Sequence, residues 1–191
     1  MLASEKLDSL SNFASFAETL SEPLSPEELK ELLNSLQTRL GDIPEEARFN
    51  DHSYCRNVLM RNPAIEVVLI SWHSGQMTPI HNHKGSACAV KVISGKATEI
   101  AYSLSGSGSY IPSAVTHVEE GEVVASFDED THIMANFEEP GRDLVTLHCY
   151  SPPLSNMEIF SEEETYFAGY ERLFGYVQAR IALSSPAADP R

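Results

Sequence analysis

Positive charge is scarce in this chain, and it is nowhere gathered into a cluster. The 191 residues carry 13 Lys and Arg against 28 Asp and Glu, a formal net charge of −15. The electrostatic footprint that draws proteins to nucleic acid or anionic lipid is missing. We therefore expect no nucleic-acid partner and no membrane partner, and the acidity reads as a solvated surface. Long apolar runs are missing too: nothing approaches the roughly 18 consecutive apolar residues of a membrane-spanning helix. The segment Met1-Leu2-Ala3-Ser4-Glu5-Lys6 lacks a basic region followed by an apolar core, so a cytoplasmic location is expected. Cysteine is rare. Cys55, Cys88 and Cys149 are odd in number and widely spaced, which argues against a disulfide framework and for a reducing compartment.

What is present suffices for one sizeable core, with 42% apolar residues. A first helix is predicted within residues 1–24, where Leu10, Phe13, Phe16, Ala17 and Leu20 recur at helical spacing. A second is better marked. Ser25-Pro26-Glu27-Glu28 supplies an N-cap, a proline at the first helical position and a capping-box glutamate; Leu29, Leu32, Leu33, Leu36 and Leu40 form its apolar stripe, and Gly41 is expected to stop it. From residue 54 to about residue 160 the pattern changes to short apolar or alternating runs, at 65–72, 88–93, 97–104, 122–127, 132–137 and 144–150. Turn signals such as Asn62-Pro63, Ser94-Gly95 and Glu139-Pro140-Gly141 separate them. Repeated strands without intervening helices predict a mainly β, single-domain sandwich or barrel. The expected organisation is a helical segment over residues 1–48 packed outside, a β core over 49–183 and a disordered tail over 184–191, with 166–183 forming a helix or strand against the barrel.

The segment Gly75-Gln76-Met77-Thr78-Pro79-Ile80-His81-Asn82-His83 is followed, 49 positions after His83, by His132. Histidines at i and i+2 share a face only on an extended strand, since on a helix they would diverge by about 200°. A strand is therefore expected to hold the pair, and His132 to complete a three-imidazole metal site. Gly75, His81, His83, Gly95, Gly121, His132 and Asn136 have the spacing of the two motifs of the cupin superfamily, which this chain resembles. Cys88 stands where the first motif has a glutamate, and Phe127 and Glu129 replace the Pro-x-Gly of the second. The resemblance implies a small β-barrel, or jelly roll. Three neutral imidazoles without a carboxylate leave the ion's charge to be met by substrate, and leave positions for further ligands. They do not name the metal, because zinc and copper also take such sites.

The flanking segments carry a more specific likeness. Tyr54-Cys55-Arg56-Asn57, Trp72, the histidine pair with Cys88, and Leu147-His148-Cys149-Tyr150-Ser151-Pro152-Pro153 together resemble cysteine dioxygenase, in that family's order. The resemblance implies one Fe(II) per chain on His81, His83 and His132, with L-cysteine and dioxygen as substrates and cysteine sulfinic acid as product. It implies that Arg56, assisted by Tyr54 and Tyr150, holds the substrate carboxylate. It further implies that Tyr150 points its phenol at the substrate, that His148 orients that phenol, and that Thr146 fills the place of a usual serine. Taken alone, Arg56 would more ordinarily be an exposed salt bridge and Cys88 a small buried apolar residue. The likeness instead suggests a thioether between Cys88 and Tyr150 and a cis Ser151–Pro152 bond. His52, His73 and His117 match no ligand position. A monomer is expected. Two alternatives stay open: a dioxygenase for 3-mercaptopropionate or cysteamine, against which Arg56 argues, and a non-catalytic metal- or ligand-binding cupin.

Overall fold

The computed structural model describes residues 7–38, 43, 49–106, 108–127, 131–155 and 157–160. The predicted elements over 166–183 and the tail over 184–191 lie outside the described residues, as do Leu40 and Gly41.

Two helices precede the strands. In α1 (Leu10–Glu18) the Ser9 side chain accepts from the Asn12 amide, and in α2 (Pro26–Ser35) Ser25 and Glu28 form the reciprocal capping box. Such a cap is worth about 0.5–2 kcal/mol. The second helix ends at Ser35 rather than running on toward Gly41, because Leu36 is extended and bridges Leu7. Gln37 donates its amide to the Leu7 carbonyl, the Leu7 amide donates to the Ser35 carbonyl at 3.0 Å, and buried Lys91 donates to the carbonyls of Leu33 and Leu36 at 3.0 and 2.7 Å. Those helix-end acceptors are thereby satisfied from outside the helix.

Ten strands follow: β1 (Cys55–Arg61), β2 (Glu66–Trp72), β3 (Ile80–His81), β4 (Ala87–Ser94), β5 (Lys96–Leu104), β6 (Tyr110–Glu119), β7 (Val123–Phe127), β8 (His132–Ala135), β9 (Leu144–Ser151) and β10 (Ile159–Phe160). They form two five-stranded sheets, ordered β1-β2-β9-β4-β7 and β10-β3-β8-β5-β6, and every ladder is antiparallel. The architecture is mainly β and of the cupin type. Strand β6 lies outside the predicted runs because its middle, Ser113-Ala114-Val115-Thr116-His117, is exposed and mixes polar with apolar residues without a period of two.

Strand β9 is buried along its whole length, and its alternation serves two cores. Val145, Leu147 and Cys149 pack with Leu29, Leu32 and Leu33 of α2 and Phe13 of α1. Leu144 and Tyr150 turn the other way, to pack with Val68, Ile70, Trp72, Val90 and Met134 between the sheets. The polar residues Thr146 and His148 share that inner face. Two of the motif residues have structural work here: Gly95 has φ 87°, and a Cβ there would stand 2.6 Å from the Asp143 carbonyl oxygen, so only glycine fits. The Gly75 amide donates to the Asn136 carbonyl at 2.7 Å.

Candidate metal centre and pocket

Strands β3 and β8 set His81 directly opposite His132. The expectation that one strand holds both histidines of the pair needs correction. Strand β3 ends at His81, and His83 opens a turn in which the Ser86 amide donates to the His83 carbonyl and Gly85 adopts φ 85°. The turn still returns the third ring to the other two. One nitrogen from each of His81, His83 and His132 lies within 4.8 Å of the others, and all three side chains are buried.

For His81 and His132 the hydrogen bonds decide which nitrogen is free. The Pro79 carbonyl oxygen is 2.9 Å from His81 Nδ1 and can only accept, so the proton sits on Nδ1 and the lone pair on Nε2. The Glu99 carboxylate is 2.5 Å from His132 Nδ1 and imposes the same tautomer. His132 Nε2 and His83 Nδ1 are buried without a hydrogen-bond partner, a condition rare enough in folded proteins to need a cause. Burial, followed by the field of His132, brings the His81 pKa down to about 4; burial likewise pushes His83 down. Neutral imidazole is the ligating form. Among the described residues no carboxylate or thiolate joins the three. This donor set fits a divalent transition-metal ion.

A pocket reaches the cluster. It is lined by His81, His83 and His132 together with Tyr54, Arg56, Cys88, His148 and Tyr150, and by apolar residues including Ile70, Val90 and Met134. Arg56, on β1 opposite Ile70, is exposed and makes no ion pair among the described residues. Tyr54 stacks on Trp72 at 4.7 Å between ring centroids. On β9, His148 stands between two hydroxyls, with Thr146 Oγ1 2.8 Å from its Nε2 and the Tyr150 oxygen 3.2 Å from its Nδ1. Burial, then Arg56, lowers the His148 pKa to about 3 and keeps the ring neutral. Burial first, then Cys88, pushes Tyr150 well above the usual phenol range, so its proton stays on.

The sequence profile of the cysteine dioxygenase type I family matches residues 19–163, most of the chain. The chain belongs to the cysteine dioxygenase type I family. A cysteine dioxygenase type 1 from Danio rerio is 26% identical over 149 residues, covering 74% of this chain and 73% of that one. The human cysteine dioxygenase type 1 is 25% identical over 142 residues, covering 71% and 70%. A Klebsiella pneumoniae protein with a double-stranded β-helix domain superposes with a TM-score of 0.52 at 20% identity, covering 64% of this chain and 92% of that one; that likeness concerns the fold alone.

In this cysteine dioxygenase relative, Cys88 and Tyr150 are cross-strand partners on β4 and β9, both facing the pocket. The Ser151–Pro152 bond is cis. The remaining histidines lie elsewhere: His73 bonds Asp143 at 2.8 Å, His117 bonds Thr98 at 3.1 Å, and His52 is exposed. Glu99 escaped the sequence reading. Its signal was its place on β5, where alternation turns Ala97, Glu99 and Ala101 to the face carrying Met134 and His132; an acidic side chain at such an inward position asks for a partner.

Proposed function

We propose that this chain oxidises L-cysteine with dioxygen to cysteine sulfinic acid at one Fe(II) held by His81, His83 and His132. The observation that carries this reading is that Arg56, with no ion-pair partner among the described residues, lines the same pocket as the three imidazoles. The kinship with proteins named cysteine dioxygenase type 1 supports the same substrate.

Iron, when bound, would lower the pKa of the substrate thiol from its free value of about 8.5 and activate dioxygen toward the sulfur. The protein's own groups do the rest. Arg56 offers a planar fork of N–H donors suited to a carboxylate, with Tyr54 and Tyr150 beside it. Tyr150, protonated and neutral at working pH, can donate its hydroxyl proton as a hydrogen bond to the bound substrates. His148 and Thr146 hold that phenol, and the apolar wall of Ile70, Val90 and Met134 limits water. Such positioning can remove about 7–11 kcal/mol from a barrier in favourable cases. Both oxygen atoms end on sulfur, which supplies all four electrons, so no external reductant is consumed.

The test is anaerobic loading with Fe(II), then L-cysteine and oxygen, with the product identified by mass spectrometry. Cysteine sulfinate is expected. No sulfinate at full iron occupancy would overturn the assignment, and faster oxygen uptake with 3-mercaptopropionate or cysteamine would move it to those thiols.

A further inference from the structure

Four polar groups form a continuous buried row on the inner face of the first sheet. Trp72 Nε1 donates to Thr146 Oγ1 at 2.9 Å; Thr146 Oγ1 is 2.8 Å from His148 Nε2; His148 Nδ1 is 3.2 Å from the Tyr150 oxygen. Trp72 and Thr146 are fully buried, and His148 and Tyr150 are nearly so. The distances alone do not say which way the protons run.

The chemistry of the first member does. An indole N–H can donate and cannot accept, so one lone pair of the Thr146 hydroxyl is committed to Trp72. The hydroxyl has one proton. If His148 also donated to Thr146, that proton would be left buried with no acceptor, against the rule that buried polar groups are paired. Only one arrangement satisfies every member: Thr146 donates to His148 Nε2, and the single proton of neutral His148 sits on Nδ1 and is donated to the Tyr150 oxygen. The Tyr150 hydroxyl then accepts from the protein and keeps its own proton for whatever occupies the pocket. Accepting a hydrogen bond also strengthens a hydroxyl as a donor, so the bias set by Trp72 carries along the row.

We propose that Trp72 is a positioning residue: its indole N–H pins the Thr146 hydroxyl and fixes the His148 tautomer, so that Tyr150 faces the substrate as a donor. The inference builds on the dioxygenase reading of Tyr150, and its test separates the two. The tautomer is read by long-range proton–nitrogen correlation on 15N-histidine-labelled, zinc-loaded protein, which is diamagnetic. In the native chain His148 is expected to be protonated at Nδ1. Trp72→Phe keeps a ring against Tyr54 but removes the donor; its His148 should become a mixture of tautomers. In the iron-loaded form, kcat for cysteine should fall about tenfold, with KM and metal occupancy unchanged. Thr146→Val should behave like Trp72→Phe, whereas Thr146→Ser, which keeps the hydroxyl, should keep the native tautomer. A native His148 protonated at Nε2, or a Trp72→Phe or Thr146→Val protein with the native tautomer, would overturn the proposal. A native Nδ1 tautomer lost in both variants, in a protein that makes no sulfinate, would uphold the polarity and sink the enzymatic reading instead.

Discussion

Cys88 on β4 and Tyr150 on β9 are direct partners in an antiparallel ladder, with both side chains on the face that lines the pocket. Cross-strand partners have Cβ atoms about 4.5–5.5 Å apart, within reach of a bond between the sulfur and the ring carbon next to the phenol oxygen. Such a bond removes one hydrogen from the thiol and one from the ring, with dioxygen as oxidant. Intact mass after turnover with iron, cysteine and oxygen should therefore show a fraction lighter by two hydrogens. Cys88→Ser should lack it. An unchanged mass in the native protein after extended turnover would rule the crosslink out.

Arg56→Gln should raise KM for cysteine by about 10–100-fold, the worth of a charge-assisted pair of hydrogen bonds. Iron binding should stay as it was, because Arg56 is not among the ligand candidates. Steady-state kinetics and metal analysis on the same samples check this. Equal losses in both would mean that Arg56 supports the fold.

Removing the charge behind His132 should weaken the metal. Glu99→Gln keeps the size of the side chain but replaces a carboxylate acceptor at 2.5 Å from Nδ1, and loss of such a partner lowers metal affinity by about 10–100-fold. Titration with Co(II), followed by its absorption bands, measures this without turnover. Native affinity in the variant would leave Glu99 with no part in the site.

Burial of His148 should also appear in the acid stability of the metal-free protein. Its pKa falls from 6.5 to about 3 on folding, so between those values the unfolded chain binds the extra proton and stability rises with pH. Stability should accordingly be lost as pH drops from 6.5 toward 3, at up to about 1.4 kcal/mol per pH unit for this one group. Urea unfolding at pH 7 and pH 5 reads the slope. In His148→Asn, which does not titrate in this range, the slope should shrink by about one proton; an unchanged slope would mean that the ring titrates normally in the fold.

By itself the sequence determined the class of fold and the identity of the three imidazoles. Strand alternation is a local property, so Val145, Leu147 and Cys149 announce one face of β9 and Thr146, His148 and Tyr150 the other before any partner is known. The capping box at Ser25 is equally local. Only the tertiary structure decided where α2 ends, because the acceptors at its end are satisfied by Lys91 and Leu7, far away along the chain. It also decided that His83 reaches the site from a turn rather than from β3, and that Glu99 stands behind His132 and Trp72 behind Thr146. Those relations depend on which strands become neighbours and in what register, and register is set by the packing of the whole barrel rather than by the residues adjacent in sequence.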